Sequence, residues 1–242
     1  MFVTKFGNTK KQILFVGMNP GPWGMVQTGV ITFSNFNLHS ASNFTVGLAV
    51  WTVNMFFLRF DCPCCVIQIP FGAARLVQDW LGIVGTVGQP PVEHPQRRVQ
   101  GFQCPRTEVS GQRFWGFFRD ICITPENMFK NSFVYSYCPL SFMHTSGRNI
   151  TPPELKVWLN HRFQGIELLL IHECGYCFLL GFFSKSSDRQ AIMEMCDSSL
   201  AQIITVLQVD IVIGIGKFAE YRIRETVKKN SLNVTVRALL IS

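Results

Sequence analysis

The sequence predicts an α/β protein, a three-layer α/β/α sandwich around a mostly parallel central sheet. Three observations carry this. Apolar runs of strand length alternate with segments of helical spacing along most of the chain. One of those runs, Val209–Gly214, is of the β-branched, buried kind that parallel sheets favour. The first run opens into a loop rich in Gly and Pro, as happens where backbone approaches a ligand at the carboxyl edge of a sheet. At 242 residues the chain is long enough for one such domain with a substantial core.

In chain order, Gln12–Gly17 reads as a short buried strand. Ala73–Val84 carries Leu76, Val77, Trp80 and Leu81 at helical spacing, and Arg113–Cys122 reads as a second helix. Ser132–Cys138 is a strand. Arg189–Leu207 is a long helix, with Ile192, Met195, Cys196 and Leu200 on one face. After the strand Val209–Gly214, a glycine turn leads into a helix over Lys217–Lys229, and Val234–Ile241 is the last strand.

The formal charge of +7 and a pI near 9.0 suit an acidic partner such as nucleic acid, although many basic proteins have none. Only 15% of residues are charged and the mean hydropathy is +0.21, an apolar excess that is local. Residues 31–69 contain Arg59 and Asp61 as their only charges, and residues 157–184 contain only Arg162, Glu167 and Glu173. Both segments read as inserts foreign to their surroundings, of the kind translated intron sequence or a wrong gene join would give. Val46–Leu58 could associate with a membrane but is too short to span one, which takes about 20 apolar residues. No membrane partner is expected.

The nine cysteines are irregularly spaced and odd in number, and Met1-Phe2-Val3-Thr4-Lys5 is not the start of a secretory signal. Reduced thiols in an intracellular compartment are expected. Cys62-Pro63-Cys64-Cys65 and Cys174-Gly175-Tyr176-Cys177 suggest zinc, but a closed site needs four ligands and no second pair completes either. No metal is expected.

The most informative stretch is Gly17-Met18-Asn19-Pro20-Gly21-Pro22-Trp23-Gly24-Met25-Val26-Gln27-Thr28-Gly29. It lacks the Lys-Ser/Thr of a phosphate loop and the glycine spacing of a dinucleotide site. It offers one amide side chain, Asn19, between strand and turn. An ordinary Gly/Pro turn is the plain structural alternative.

This stretch resembles the first active-site motif of the single-strand-selective monofunctional uracil-DNA glycosylases, within the uracil-DNA glycosylase superfamily. Further blocks follow in the same order: Pro70-Phe71-Gly72 with Asp79-Trp80-Leu81-Gly82-Ile83-Val84-Gly85, Glu108 to Phe118, Tyr137-Cys138-Pro139-Leu140, Ser146 to Pro152, and Gly214 to Glu220. In that family Val30 would run directly into Pro70, and Lys156 into the helix near Asp188. The resemblance implies a single glycosylase-like domain over residues 1–242 with the uracil-DNA glycosylase fold, shortened at both ends and interrupted by the two inserts.

The activity it implies is excision of uracil and oxidised pyrimidines such as 5-hydroxymethyluracil from single- and double-stranded DNA, in nuclear base excision repair. The enzyme would be a monomer without metal or nucleotide cofactor. It would be monofunctional, because no motif lysine or N-terminal amine is placed to form a Schiff base. Asn19 would position the attacking water, the backbone at Met18 would contact the base, and Phe71 would stack beneath it. Core packing remains the alternative for Phe71 in a chain with 22 phenylalanines.

Two departures stand out. Ser136 occupies the place of the family's Asn, whose carbonyl and amide both read the uracil edge; one hydroxyl cannot match two points. The family's His-Pro-Ser-Pro motif, whose His stabilises the leaving base, would begin at Ile241. His39, His94, His144, His161 and His172 lack a context that would replace it, and each reads as solvated or packed. The rival reading is therefore a catalytically impaired product with at most weak DNA binding.

For DNA contact the best candidates are Ser146, Gly147, Arg148, Asn149 and Thr151, a polar loop suited to phosphates. Thr151 also reads as the cap of a helix starting at Pro152, and the two roles are compatible. Arg97, Arg98 and Arg106 read as solvated basic surface adding non-specific attraction.

Overall fold

The computed structural model describes residues 2–32, 65–67, 69–88, 93–144, 146–154 and 186–240. The two apolar segments lie almost wholly outside the described residues, as do the cysteine clusters at 62–64 and 174–177 and the stretch Val46–Leu58. Among the described residues no helix is long and apolar enough to cross a membrane.

Four parallel strands form the central sheet, in the order β4 (Ser132–Ser136), β1 (Ile13–Gly17), β7 (Ile211–Ile215), β8 (Thr235–Leu239). Leu14 and Val16 in the inner strand β1 are fully buried. Such a strand needs helices on both faces of the sheet, because neither face can be left to water. They are supplied by α2 (Ala74–Asp79), α3 (Val109–Cys122), α4 (Pro125–Asn131), α5 (Ser186–Leu207) and α6 (Lys217–Lys229), with a short α1 (Phe2–Phe6) before β1. The α/β/α architecture is the one expected.

The phenylalanine-rich composition finds its physical place in two aromatic clusters, joined by the edge contact of Phe114 with Trp115 at 4.9 Å. Phe15 of β1 meets Phe114 and Phe118 of α3 edge-on, at ring separations of 5.8 and 5.0 Å. Phe2, Phe6, Trp115, Phe129 and Phe133 form the second cluster, in which Phe6 stacks on Phe129 at 4.0 Å. Each such ring contributes roughly 1.5–3 kcal/mol of burial. Behind the sheet, Tyr137 donates to Asp197 of α5 at 2.7 Å, and Arg222 of α6 reaches both the Tyr137 hydroxyl and the Asp197 carboxylate.

Several boundaries differ from the sequence reading. The helix expected over Ala73–Val84 ends at Asp79. Gly82 takes a left-handed φ of +61°, and Ile83 N–H turns back to the Val77 carbonyl, so the apolar spacing continues past the real stop. Helix α3 starts four residues earlier than expected, at Val109. Helix α4 was not anticipated, although Thr124 caps it by accepting from Asn127 N–H and Pro125 stands at its first position.

Two small antiparallel pairs complete the described structure. Strands β2 (Val30–Thr32) and β3 (Cys65–Ile67) join the two ends of the first apolar segment, with Val30 opposite Ile67. Strands β5 (Phe142–Met143) and β6 (Asn149–Ile150) form a hairpin whose turn contains Ser146, Gly147 and Arg148.

Candidate active site

The site lies at the carboxyl ends of β1 and β4. Their pairing continues beyond the strands, because the carbonyls of Gly17 and Met18 accept from Tyr137 and Cys138 N–H, both at 2.9 Å. Gly17 stands opposite Ser136. These bonds engage the Met18 carbonyl and hold the start of the loop firmly.

Asn19 follows. Its amide nitrogen makes one long hydrogen bond, 3.5 Å, to the Ile150 carbonyl of β6, and its Oδ1 is buried with no partner among the described residues. A buried amide oxygen left unpaired costs about 1–3 kcal/mol. Its natural complement is a water molecule or a polar ligand group.

Phe71 is half-buried and close to this point. Its ring lies on Gly17, where a Cβ would come within 2.7 Å of Phe71 Cζ, and stacks on Phe114 at 4.5 Å. Its backbone holds a φ of +54°, rare for a bulky residue and costing on the order of 1–3 kcal/mol. The surroundings enforce this strain. Gly111 of α3 sits against the Phe71 carbonyl, and the Trp115 indole donates to the Pro70 carbonyl at 3.2 Å. The 39-residue segment before Pro70 does not displace the ring, because β2–β3 pairing brings the chain back beside Val30.

Ser136 is buried, and its hydroxyl donates to the Cys138 carbonyl at 3.2 Å. With that proton committed, Ser136 offers only lone pairs to anything outside its own strand.

The Ser146–Arg148 turn is tightly organised. Gly147 N–H donates to the His144 carbonyl at 2.7 Å, and Ser146 N–H donates to His144 Nδ1 at 3.1 Å. Arg148 is paired with Glu154 at 2.6 Å, and Glu154 also accepts from Thr151 N–H and hydroxyl at 2.7 and 2.8 Å. The two Thr151 bonds form the acidic half of a capping box; against some loss of hydration, the Arg148 hydrogen bond and then those from Thr151 draw the Glu154 carboxyl below its ordinary range. Residues 152–154 form a turn; the helix expected beyond lies outside the described residues. Asn149 sits beside Asn19's partner strand position, with its own Oδ1 buried and unpartnered among the described residues. The structure thus brings Asn19, Phe71 and Ser136 to one sheet edge and sets the β5–β6 hairpin beside Asn19.

Comparison with known proteins gives the relationship. Over 239 residues, 99% of the chain, the sequence is 35% identical to the single-strand selective monofunctional uracil DNA glycosylase of Bos taurus. It is 34% identical over the same length to the single-strand selective monofunctional uracil-DNA glycosylases of Rattus norvegicus and Mus musculus. The chain is a relative of these glycosylases. It spans about three fifths of their length: 63%, 62% and 61% respectively. No family model matches it.

Three features that hold this site together were not anticipated. Gln27 is fully buried and its amide is saturated: it donates to the carbonyls of Pro22 and Arg98 and accepts from Gln100 and Gly101 N–H at 2.8 and 3.1 Å. It fixes the first-motif loop to the segment 98–101. Glu108, before α3, lays its carboxyl against Gly21 and Gly24, where a Cβ on Gly24 would overlap Glu108 Oε2 at 1.6 Å. Loss of water there pushes its pKa up from 4.5 to about 7.

The third feature concerns the basic surface: Arg106 is exposed as expected and Arg97 is half-buried, but neither is free of protein contacts. Both guanidinium groups lie on the Trp23 ring, at 4.9 and 4.8 Å from its centre. Gln27 and Trp23 stand in the first motif and signal its importance, but their partners, like those of Glu108, arise only in three dimensions. Among the described residues no three His, Cys, Asp or Glu side chains gather into a metal-binding group.

Proposed function

We propose that this chain is a monofunctional uracil-DNA glycosylase. The observation that carries the reading is the buried Oδ1 of Asn19, unpaired among the described residues, two residues beyond the Gly17 on which the ring of the backbone-strained Phe71 lies. A glycosylase must take its base out of the stack, hold it on a flat apolar surface, and deliver water to C1′. Phe71 supplies the surface. Asn19 accepts a hydrogen bond from the water whose oxygen attacks C1′. As the C1′–N1 bond breaks, its electron pair leaves on the base, and the proton released by the water passes to solvent. Main-chain N–H groups near Met18 are suited to stabilising the negative charge that develops.

Ser136 faces the polar edge of the base as an acceptor. It can take the N3–H of uracil, while the neighbouring O4 loses the amide donor that an Asn would supply. The substrates are uracil and oxidised pyrimidines such as 5-hydroxymethyluracil, in single- and double-stranded DNA. Ser146, Gly147, Arg148, Asn149 and Thr151 contact the strand. The setting is base excision repair in the nucleus.

The test is incubation with a single-stranded oligonucleotide carrying one uracil, followed by alkaline cleavage of abasic sites. Uracil-dependent cleavage by the wild type, lost in Asn19→Ala, is the expected result. No cleavage by the wild type at high enzyme excess would refute the reading and favour a DNA-binding protein without turnover.

A further inference from the structure

We propose that Arg97 and Arg106, held on Trp23, form a phosphodiester-binding site that grips the DNA strand next to the extruded nucleotide. The inference rests on the glycosylase reading and adds a contact outside the Ser146–Thr151 loop.

Two guanidinium groups held on one indole concentrate positive charge where a single anionic group can reach both. Neither guanidinium has a carboxylate partner among the described residues. Glu108, two residues from Arg106, is turned into the glycines of the first-motif loop, and Glu93, four residues before Arg97, accepts from Val99 N–H at 2.9 Å. Arg97 is half-buried. Its Nη1 donates to the Gln96 carbonyl at 2.8 Å, and its buried Nε has no partner among the described residues. A planar cation fixed by an aromatic face, with donors to spare, is the group that best matches phosphate oxygens.

Position specifies the ligand further. Trp23 follows Asn19 by four residues, which sets its Cα within about 14 Å of that of Asn19 along the loop. Arg97 also touches the other loop of the site, since a Cβ on Gly147 would lie 3.2 Å from Arg97 Cζ. Gly147 itself holds a φ of +72°, so the turn is shaped to let this side chain approach. Arg97 therefore occupies the crease between the loop bearing Asn19 and the β5–β6 turn. A strand whose nucleotide enters the site has its adjacent phosphates at that crease.

The test measures binding of a fluorescein-labelled single-stranded oligonucleotide with one uracil to the full chain, by anisotropy over a range of salt concentrations. R97Q and R106Q are each expected to weaken binding about fivefold. The double variant should lower the slope of log affinity against log salt by about 0.7 for each phosphate released. W23L should weaken binding similarly and W23F should restore it, because the ring is the platform. K228Q/K229Q removes the same two charges from the far end of α6, at the amino edge of the parallel sheet, and should leave the slope within error. Thermal midpoints verify folding. R106Q, on an exposed side chain, carries the test alone if R97Q does not fold.

A wild type that excises uracil while the arginine variants keep its affinity and slope overturns this proposal only. Equal losses in K228Q/K229Q and R97Q/R106Q also overturn it. A wild type that binds DNA but never cleaves overturns the glycosylase reading, and the arginine comparison then still decides the phosphate site. A wild type that does not bind DNA overturns both.

Discussion

Glu108 couples the stability of the first-motif loop to pH. Its carboxyl is enclosed against Gly21 and Gly24, and the folded protein raises its pKa from 4.5 to about 7 through loss of hydration. Folding therefore favours the protonated acid. Relative to a side chain that does not titrate, the stabilisation is complete below pH 4.5, declines as pH rises, and is gone above about 7. The full difference corresponds to about 3 kcal/mol. Residual water at the half-buried side chain trims this to roughly 1–3 kcal/mol, or on the order of 2–10 °C in melting temperature for a domain of this size.

Glu108→Gln isolates the effect, because glutamine has the same shape and stays neutral throughout. Urea unfolding of both proteins at pH 4.0 and pH 8.5 is the assay. The two should agree within about 0.5 kcal/mol at pH 4.0, and the variant should be the more stable at pH 8.5 by the amount above. Activity follows the same direction, since the loop that carries Asn19 loosens when a carboxylate beneath it seeks water. A wild-type-to-variant difference that does not change with pH would refute the burial argument.

Further expectations can be tested in the same preparations. Asn19→Ala should lower uracil excision by at least about a hundredfold with little change in melting temperature, as measured by single-turnover cleavage. Gly17→Ala places a methyl 2.7 Å from Phe71 Cζ and should lower excision by pushing the platform aside, while circular dichroism shows the sheet intact. Gln27→Leu leaves four backbone groups without their partner and should destabilise the protein by about 2–5 kcal/mol in urea unfolding. Ser136→Asn should improve discrimination between uracil and hypoxanthine by about 1–3 kcal/mol in competition cleavage, and an unchanged preference would remove this position from base reading.

The sheet was legible because its strands are short, apolar and bounded by glycine or polar residues: Gln12–Gly17 and Ser132–Cys138 each contain the strand observed. The helix Lys217–Lys229 agrees at both ends, since Gly216 starts it and the polar pair Asn230-Ser231 follows it. Periodicity failed where backbone conformation overrode it, as at Gly82, and where elements were too short to show a period, as in the two-residue strands β5 and β6. Helix α4 could have been read from Thr124-Pro125-Glu126 alone. In the site, Asn19 was conspicuous as one amide between strand and turn. Phe71 was indistinguishable from core without the family resemblance. Glu108, Arg97 and Arg106 gave no local signal, because burial against a glycine or stacking on an indole depends on a partner far away in the chain.

That dependence also explains why the site can stand beside so long a preceding segment. Phe71 is not positioned by the covalent chain leading up to it. It is positioned by Gly17 against the tip of its ring, by Phe114 stacked on it, and by Gly111 and Trp115 against the backbone of its turn. Those contacts come from β1 and α3, neither of which includes residues 31–69. The β2–β3 ladder returns the chain to Val30 before Pro70 begins, and the entropy of closing such a loop grows only by about 0.6 kcal/mol per doubling of its length. The segment's length therefore bears on overall stability far more than on the distance between Phe71 and Asn19. Shortening it should change the melting temperature and leave the geometry of the two residues as it is.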